Sequence, residues 1–131
     1  MYNLSHLQKK ILAILQEAGS DNVTAVMAHL GEHVGNHGEI EYIRLAIVGL
    51  VRNELVQIAR EHRTGACDVV SDEEQAIDLL KTLEGLVEWC AVSCRWNPKR
   101  DSDWIPIIIL TTKGRLLAQR ILTEDGWPKR P

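Results

Sequence analysis

Ile107-Ile108-Ile109-Leu110-Thr111-Thr112-Lys113-Gly114-Arg115-Leu116-Leu117 decides the fold, because inside it a strand hands over to a helix. The apolar run from Trp104 to Leu110 is short and rich in β-branched residues, which favours a strand. Thr111 or Thr112 then offers a hydroxyl to the free amides of a first helical turn, and Leu116, Leu117, Ile121 and Leu122 follow at helical spacing. Pro106 has no N–H to donate to a neighbouring strand, so an open edge is expected near it.

Upstream, Asn97-Pro98-Lys99-Arg100-Asp101-Ser102-Asp103 supplies turn residues, and Leu86 to Trp96 reads as one extended segment. Residues 86–111 are therefore expected to form a hairpin, with Lys99 and Arg100 at its tip and Arg95 beside them. Before it, Ser71-Asp72-Glu73-Glu74 has capping-box spacing and predicts a helix over 71–84, with Ala76, Leu79, Leu80 and Leu83 inward and Gly85 as its stop. His62 to Val70 reads as a loop, and Leu55 to Ala59 as a strand.

The first half of the chain is helical. Leu7, Ile11, Ile14, Leu15 and Ala18 share one face of a helix that Ser5 and Gln8 cap and Gly19 ends. Asn22 caps a second helix of about two turns, with Val23, Val26, Met27 and Leu30, closed by Gly31. A connector, Gly31 to Gly38, leads to a third helix from about Glu39 to Asn53, whose Ile40, Ile43, Ile47, Leu50 and Val51 face inward. One α+β domain, mainly α, is expected over 1–123, with 124–131 as a tail.

Three helices, a strand, a further strand-turn-strand and a last helix follow the order of a winged helix. Leu83-Glu84-Gly85-Leu86-Val87-Glu88-Trp89 and Leu110-Thr111-Thr112-Lys113-Gly114-Arg115-Leu116-Leu117 resemble the end of the MarR-like and PadR-like winged-helix regulators. In those families one phrase finishes the recognition helix and the other follows the wing. The resemblance implies a winged helix-turn-helix with an extra acidic helix, 71–84, before a β-hairpin wing, 86–111. Leu50-Val51-Arg52-Asn53-Glu54-Leu55-Val56-Gln57-Ile58 looks like the same helix-to-strand phrase, so the helix 39–53 and the helix 72–84 both qualify as recognition helix. The second opens with Asp72, Glu73 and Glu74, which phosphates repel, and the first is the better reader.

If the protein reads DNA, Tyr42, Arg44, Arg52 and Asn53 on the third helix face base edges in the major groove, and Arg95, Lys99 and Arg100 on the wing meet phosphates or the minor groove. Lys113 and Arg115 are expected on the same side as the wing. Leu45 and Val48 on the outward face of the third helix suit a protein contact instead. The resemblance thus implies a transcriptional regulator, pairing as a homodimer on double-stranded DNA. The alternative is a winged helix used for protein contact without DNA binding, with a protein partner on the acidic helix 71–84.

The formal charge of −3 is unevenly spread: residues 61–85 hold seven acids against two bases, whereas 86–131 hold eight bases against five acids. A positive face is therefore compatible with an acidic chain. No apolar run approaches the roughly 20 residues of a membrane span, and the first residues lack the layout of a signal peptide, so a cytoplasmic protein is expected. Cys90 and Cys94, on one strand, would stand about 13 Å apart, too far to bridge, and reduced thiols are expected. His29, His33 and His37 are spaced for one helix face, but Gly31 and Gly35 interrupt it, so no metal site is expected. No phosphate loop, nucleophile elbow or paired-acid motif appears, and neither an enzyme nor a cofactor is expected.

Overall fold

The computed structural model describes residues 3–30 and 35–123. The first predicted helix is α1 (His6–Ala18). Its capping box is closed: Gln8 N donates to Ser5 Oγ at 3.1 Å and Ser5 N to Gln8 Oε1 at 2.9 Å. Asn22 Oδ1 accepts from Ala25 N at 2.9 Å and opens α2 (Val23–Leu30). Between these helices lies β1 (Ser20–Asn22), three polar residues with no alternation to announce a strand. α3 (His37–Arg52) starts before Glu39 because Asn36 caps it, its Oδ1 accepting from Glu39 N at 3.0 Å.

α3 ends in a Schellman turn. Leu55 N donates to Leu50 O and Glu54 N to Val51 O, both at 3.0 Å, while Glu54 takes the left-handed conformation at φ 61°. Leu50 and Leu55, the pair that meets across such a turn, are both fully buried. β2 (Val56–His62) leaves from there and runs antiparallel to β6 (Trp104–Leu110), with Val56 opposite Leu110 and His62 opposite Trp104.

That pairing corrects the expected 86–111 hairpin. Trp104–Leu110 is a strand, but its partner is β2, where Ile58 stands opposite Ile108, both fully buried. The segment before it is a separate hairpin of β4 (Val87–Cys90) and β5 (Arg95–Pro98), broken at Ala91–Cys94 where one extended segment was expected. The expected loop 62–70 also contains β3 (Cys67–Val70), which pairs with β2. The main sheet is antiparallel in the order β1–β6–β2–β3. β1 covers only Ile107 to Ile109 of β6, so Pro106 lies just outside the covered stretch, as its missing N–H requires.

The acidic helix is α4 (Glu73–Leu80), followed by a 3₁₀ turn at Leu83–Gly85; its cap is Asp72 rather than Ser71, with Asp72 Oδ2 accepting from Gln75 N at 3.0 Å. The last helix is α5 (Thr112–Thr123), where Thr111 Oγ1 accepts from Gly114 N at 3.0 Å. A Cβ at Gly114 would fall 1.9 Å from Leu55 O, so only glycine lets α5 start this close to the end of α3. One core joins all layers: Ile11, Leu12 and Leu15 of α1, Met27 of α2, Ile47 and Leu50 of α3, Ile58 and Ile108 of the sheet, and Leu80 and Leu83 are fully buried. Each such side chain contributes about 1.5–3 kcal/mol of transfer free energy. The predicted tail 124–131, Gly31 and His33 lie outside the described residues.

Candidate nucleic-acid interface

α3 packs Ile40, Ile43, Ile47 and Leu50 inward, which leaves Tyr42 and Arg52 exposed, Arg44 half-buried at the flank and Asn53 at the C-cap. Tyr42 is open at 64% exposure, and Leu45 beside it at 55%. Val48 is half-buried against the core, and Gly49 lies beside the Gln8 side chain, so Val48 is less open than its outward position suggested. Arg44 forks onto Glu41, one turn back, with Nε 3.1 Å from Oε2. That bonding holds the Glu41 carboxyl below and the Arg44 guanidinium above their ordinary ranges. Arg52 reaches across to α4, its Nη1 3.5 Å from Glu74 Oε1 and 3.9 Å from Glu73 Oε2. Asn53 is the helix C-cap, its amide donating to Gly49 O at 3.1 Å. Both α3 arginines are therefore paired with carboxylates of the same molecule.

The cations expected on a wing are arranged differently. The 41 residues between β2 and β6, 63–103, leave and re-enter at the far end of the strand pair, which brings Lys99 and Arg100 next to Arg63. Arg63 fastens this corner: its amide donates to Asp103 O at 3.0 Å, its Nη2 to Lys99 O at 3.3 Å and its Nε to Ser102 O. A cleft of about 280 Å³ opens there, lined by Arg63, Lys99, Arg100, Glu61 and Trp104 among others. Asp101 and Asp103, exposed in the same loop, offset part of the charge. Sequence reasoning did not select Arg63, because only the long-range β2–β6 pairing joins it to Lys99.

The other candidates stand apart. Arg95 opens β5 beside the Ala91–Cys94 turn, and at about 3.3 Å per residue it lies roughly 13 Å from Lys99 along the strand. Lys113 and Arg115 are at the start of α5, the opposite end of the strand pair from the corner of Arg63, Lys99 and Arg100, which corrects the expectation of one shared side. Lys113 Nζ is 3.3 Å from Glu54 Oε2. Arg115 is exposed on α5.

Glu39, in the first turn of α3, has a structural partner. Its Oε1 accepts from Trp96 Nε1 and from Gly35 N, each at 2.9 Å, and so docks the β4–β5 hairpin on the start of α3. Trp89 completes the joint, edge-on to Trp96 with ring centroids 5.4 Å apart and so close to Gly35 that a Cβ there would sit 2.5 Å from the indole. Among the described residues no cluster of three or more His, Cys, Asp or Glu side chains could hold a metal ion, and no helix is long and apolar enough to cross a membrane. Compared with protein-family models, with curated proteins and with solved structures, the chain matches none.

Proposed function

We propose that the chain is a winged helix whose wing holds the backbone of double-stranded DNA. The strand order β1–β6–β2, with α2 and α3 between β1 and β2, supports the fold reading. In it, α3 is the recognition helix, β2–β6 the wing, and 63–103 an insertion at the wing tip carrying α4 and the second hairpin. The observation that carries the function is the convergence of Arg63, Lys99 and Arg100 at that tip from two distant segments. Cations fixed there meet phosphates, which position a protein on the duplex without reading sequence. α3 contributes little charge, since Arg44 and Arg52 already have carboxylate partners. Base readout therefore falls to Tyr42 and Asn53 unless α4 releases Arg52. Transcriptional regulation as a homodimer is the biological role this reading fits. Titration against random duplex DNA at two salt concentrations tests it.

The exposed pair Tyr42 and Leu45 favours a second reading, in which the α3 face is a protein contact and the paired arginines are its rim. A second copy of the chain on this face would give a dimer. The sedimentation mass of the wild type and of Leu45→Asp decides: a dimer that the variant dissolves supports the contact, and a monomer in both removes the self-pairing form.

A further inference from the structure

The β4–β5 hairpin overturns one premise drawn from the sequence. Cys90 and Cys94 do not lie along one strand: Cys90 is the last residue of β4, stands in register with Arg95, and is separated from Cys94 only by the turn. Cys90 therefore directly precedes the four-residue turn Ala91–Cys94 and Cys94 closes it, a span compatible with the Cα separation of about 4.4–6.8 Å that a disulfide needs. Cys94 takes a left-handed conformation, φ 53°, unusual for a residue with a Cβ, and its Sγ donates to Ala91 O at 3.4 Å. The turn is open to solvent, with Val92 at its apex 96% exposed.

We infer that Cys90 and Cys94 are an oxidisable dithiol, with Cys90 the attacking and Cys94 the resolving thiol, and hydrogen peroxide as oxidant. The division of roles follows from the turn. Hydrogen bonds to Cys90 Sγ from the Ser93 hydroxyl first, then from the Ser93 amide and more weakly from the Val92 amide, hold that thiol below its ordinary range, against opposing effects of burial and Glu88. The Cys90 thiolate attacks one peroxide oxygen, the O–O bond breaks, and hydroxide leaves and is protonated to water. The resulting Cys90 sulfenic acid is attacked by Cys94 sulfur; the S–O bond breaks and the second oxygen departs as water with the Cys94 proton. Two thiols lose two electrons and two protons, and one peroxide becomes two waters. Cys67, exposed on β3 in the main sheet, serves as the reference thiol.

The test treats the full-length native chain with hydrogen peroxide, alkylates remaining thiols after denaturation, and maps tryptic peptides by mass. The peptide 82–95, bounded by Lys81 and Arg95, contains both cysteines and no other. The expected result is that it loses about 2 Da and escapes alkylation while Cys67 is still alkylated. Cys94→Ser should instead yield a Cys90 sulfenic acid that dimedone traps. Alkylation of both Cys90 and Cys94 after peroxide, oxidation of Cys67 at the same rate, or bridging only between molecules overturns the inference. The wild-type map suffices if the variant fails to fold.

Discussion

Trp96 Nε1 donates to Glu39 Oε1 across 57 positions of sequence, 2.9 Å apart, and this bond joins the inserted hairpin to the first turn of α3. The same oxygen accepts from Gly35 N, so Glu39→Ala strands two donors at once. Trp96 is 95% enclosed by the protein, being 5% exposed, and water does not replace the lost acceptor freely. The expected loss is about 1–3 kcal/mol in urea unfolding. Glu39→Gln keeps the oxygen and should lose much less. Equal losses for the two variants would remove the hydrogen bond as the joint.

Glu54 is strained by its own backbone, with φ at 61° in a position that helices usually give to glycine. Glu54→Gly removes that strain and gives up the exposed pair with Lys113, which is worth at most about 1 kcal/mol. The variant should be as stable as the parent or more stable, by up to about 1 kcal/mol. A loss above about 1 kcal/mol would show that the side chain holds the α3–β2 turn.

That residue also shows how far the sequence carried. The helix-to-strand phrase at Leu50–Ile58 is the one that forms a Schellman turn, with Glu54 where the phrase at Leu83–Val87 has Gly85; Gly85 instead lies in a 3₁₀ turn. Helices were legible because caps and apolar spacing are local: Ser5 and Asn22 each sit where an N-cap must. Strand partners were not. Leu110 and Val56 meet only because 41 residues loop out between their strands, and nothing in the spacing of either strand records it. The site inherited the same split: Tyr42 and Leu45 faced outward as their helical positions implied, whereas the pairing of Arg52 with α4 and of Arg63 with the 99–103 loop depends on tertiary approach.

Arg52 is held by two acids of α4, and removing them should turn α3 into a better DNA surface. Glu73→Gln with Glu74→Gln leaves stability within about 1 kcal/mol, because exposed ion pairs contribute little. Duplex affinity should rise and its salt dependence steepen by about 0.9 in log–log slope, one phosphate's worth. Unchanged affinity with unchanged slope would place α3 away from the duplex.

Asp68 on β3 accepts from His62 Nε2 at 2.9 Å and from Arg60 Nη2 at 2.6 Å, and these bonds hold its carboxyl below the ordinary value of 3.8. A folded-state value below the unfolded one stabilises the fold above the unfolded value, and that contribution is lost as pH falls through the lower folded value. Carboxyl NMR titration of the folded chain should give Asp68 a midpoint under 3.8. In Asp68→Asn the acid-side dependence of stability should be shallower. A midpoint at or above the ordinary value would mean that β3 is not tied to β2 by this pair of bonds in solution.

The corner of Arg63, Lys99 and Arg100, the proposed wing tip, is the centre of the functional account, and Lys99→Ala with Arg100→Ala addresses it most directly, since Arg63 continues to hold the loop through main-chain carbonyls. The measurement is binding to random duplex DNA by anisotropy at about 50 and 200 mM salt, wild type beside variant. The account predicts that the wild type binds with a negative log–log salt slope and that the double variant binds more weakly to every sequence, its slope flatter by about 1.8, two phosphates' worth. A folded variant with wild-type affinity and slope would contradict it, as would a wild type that fails to bind at the lower salt.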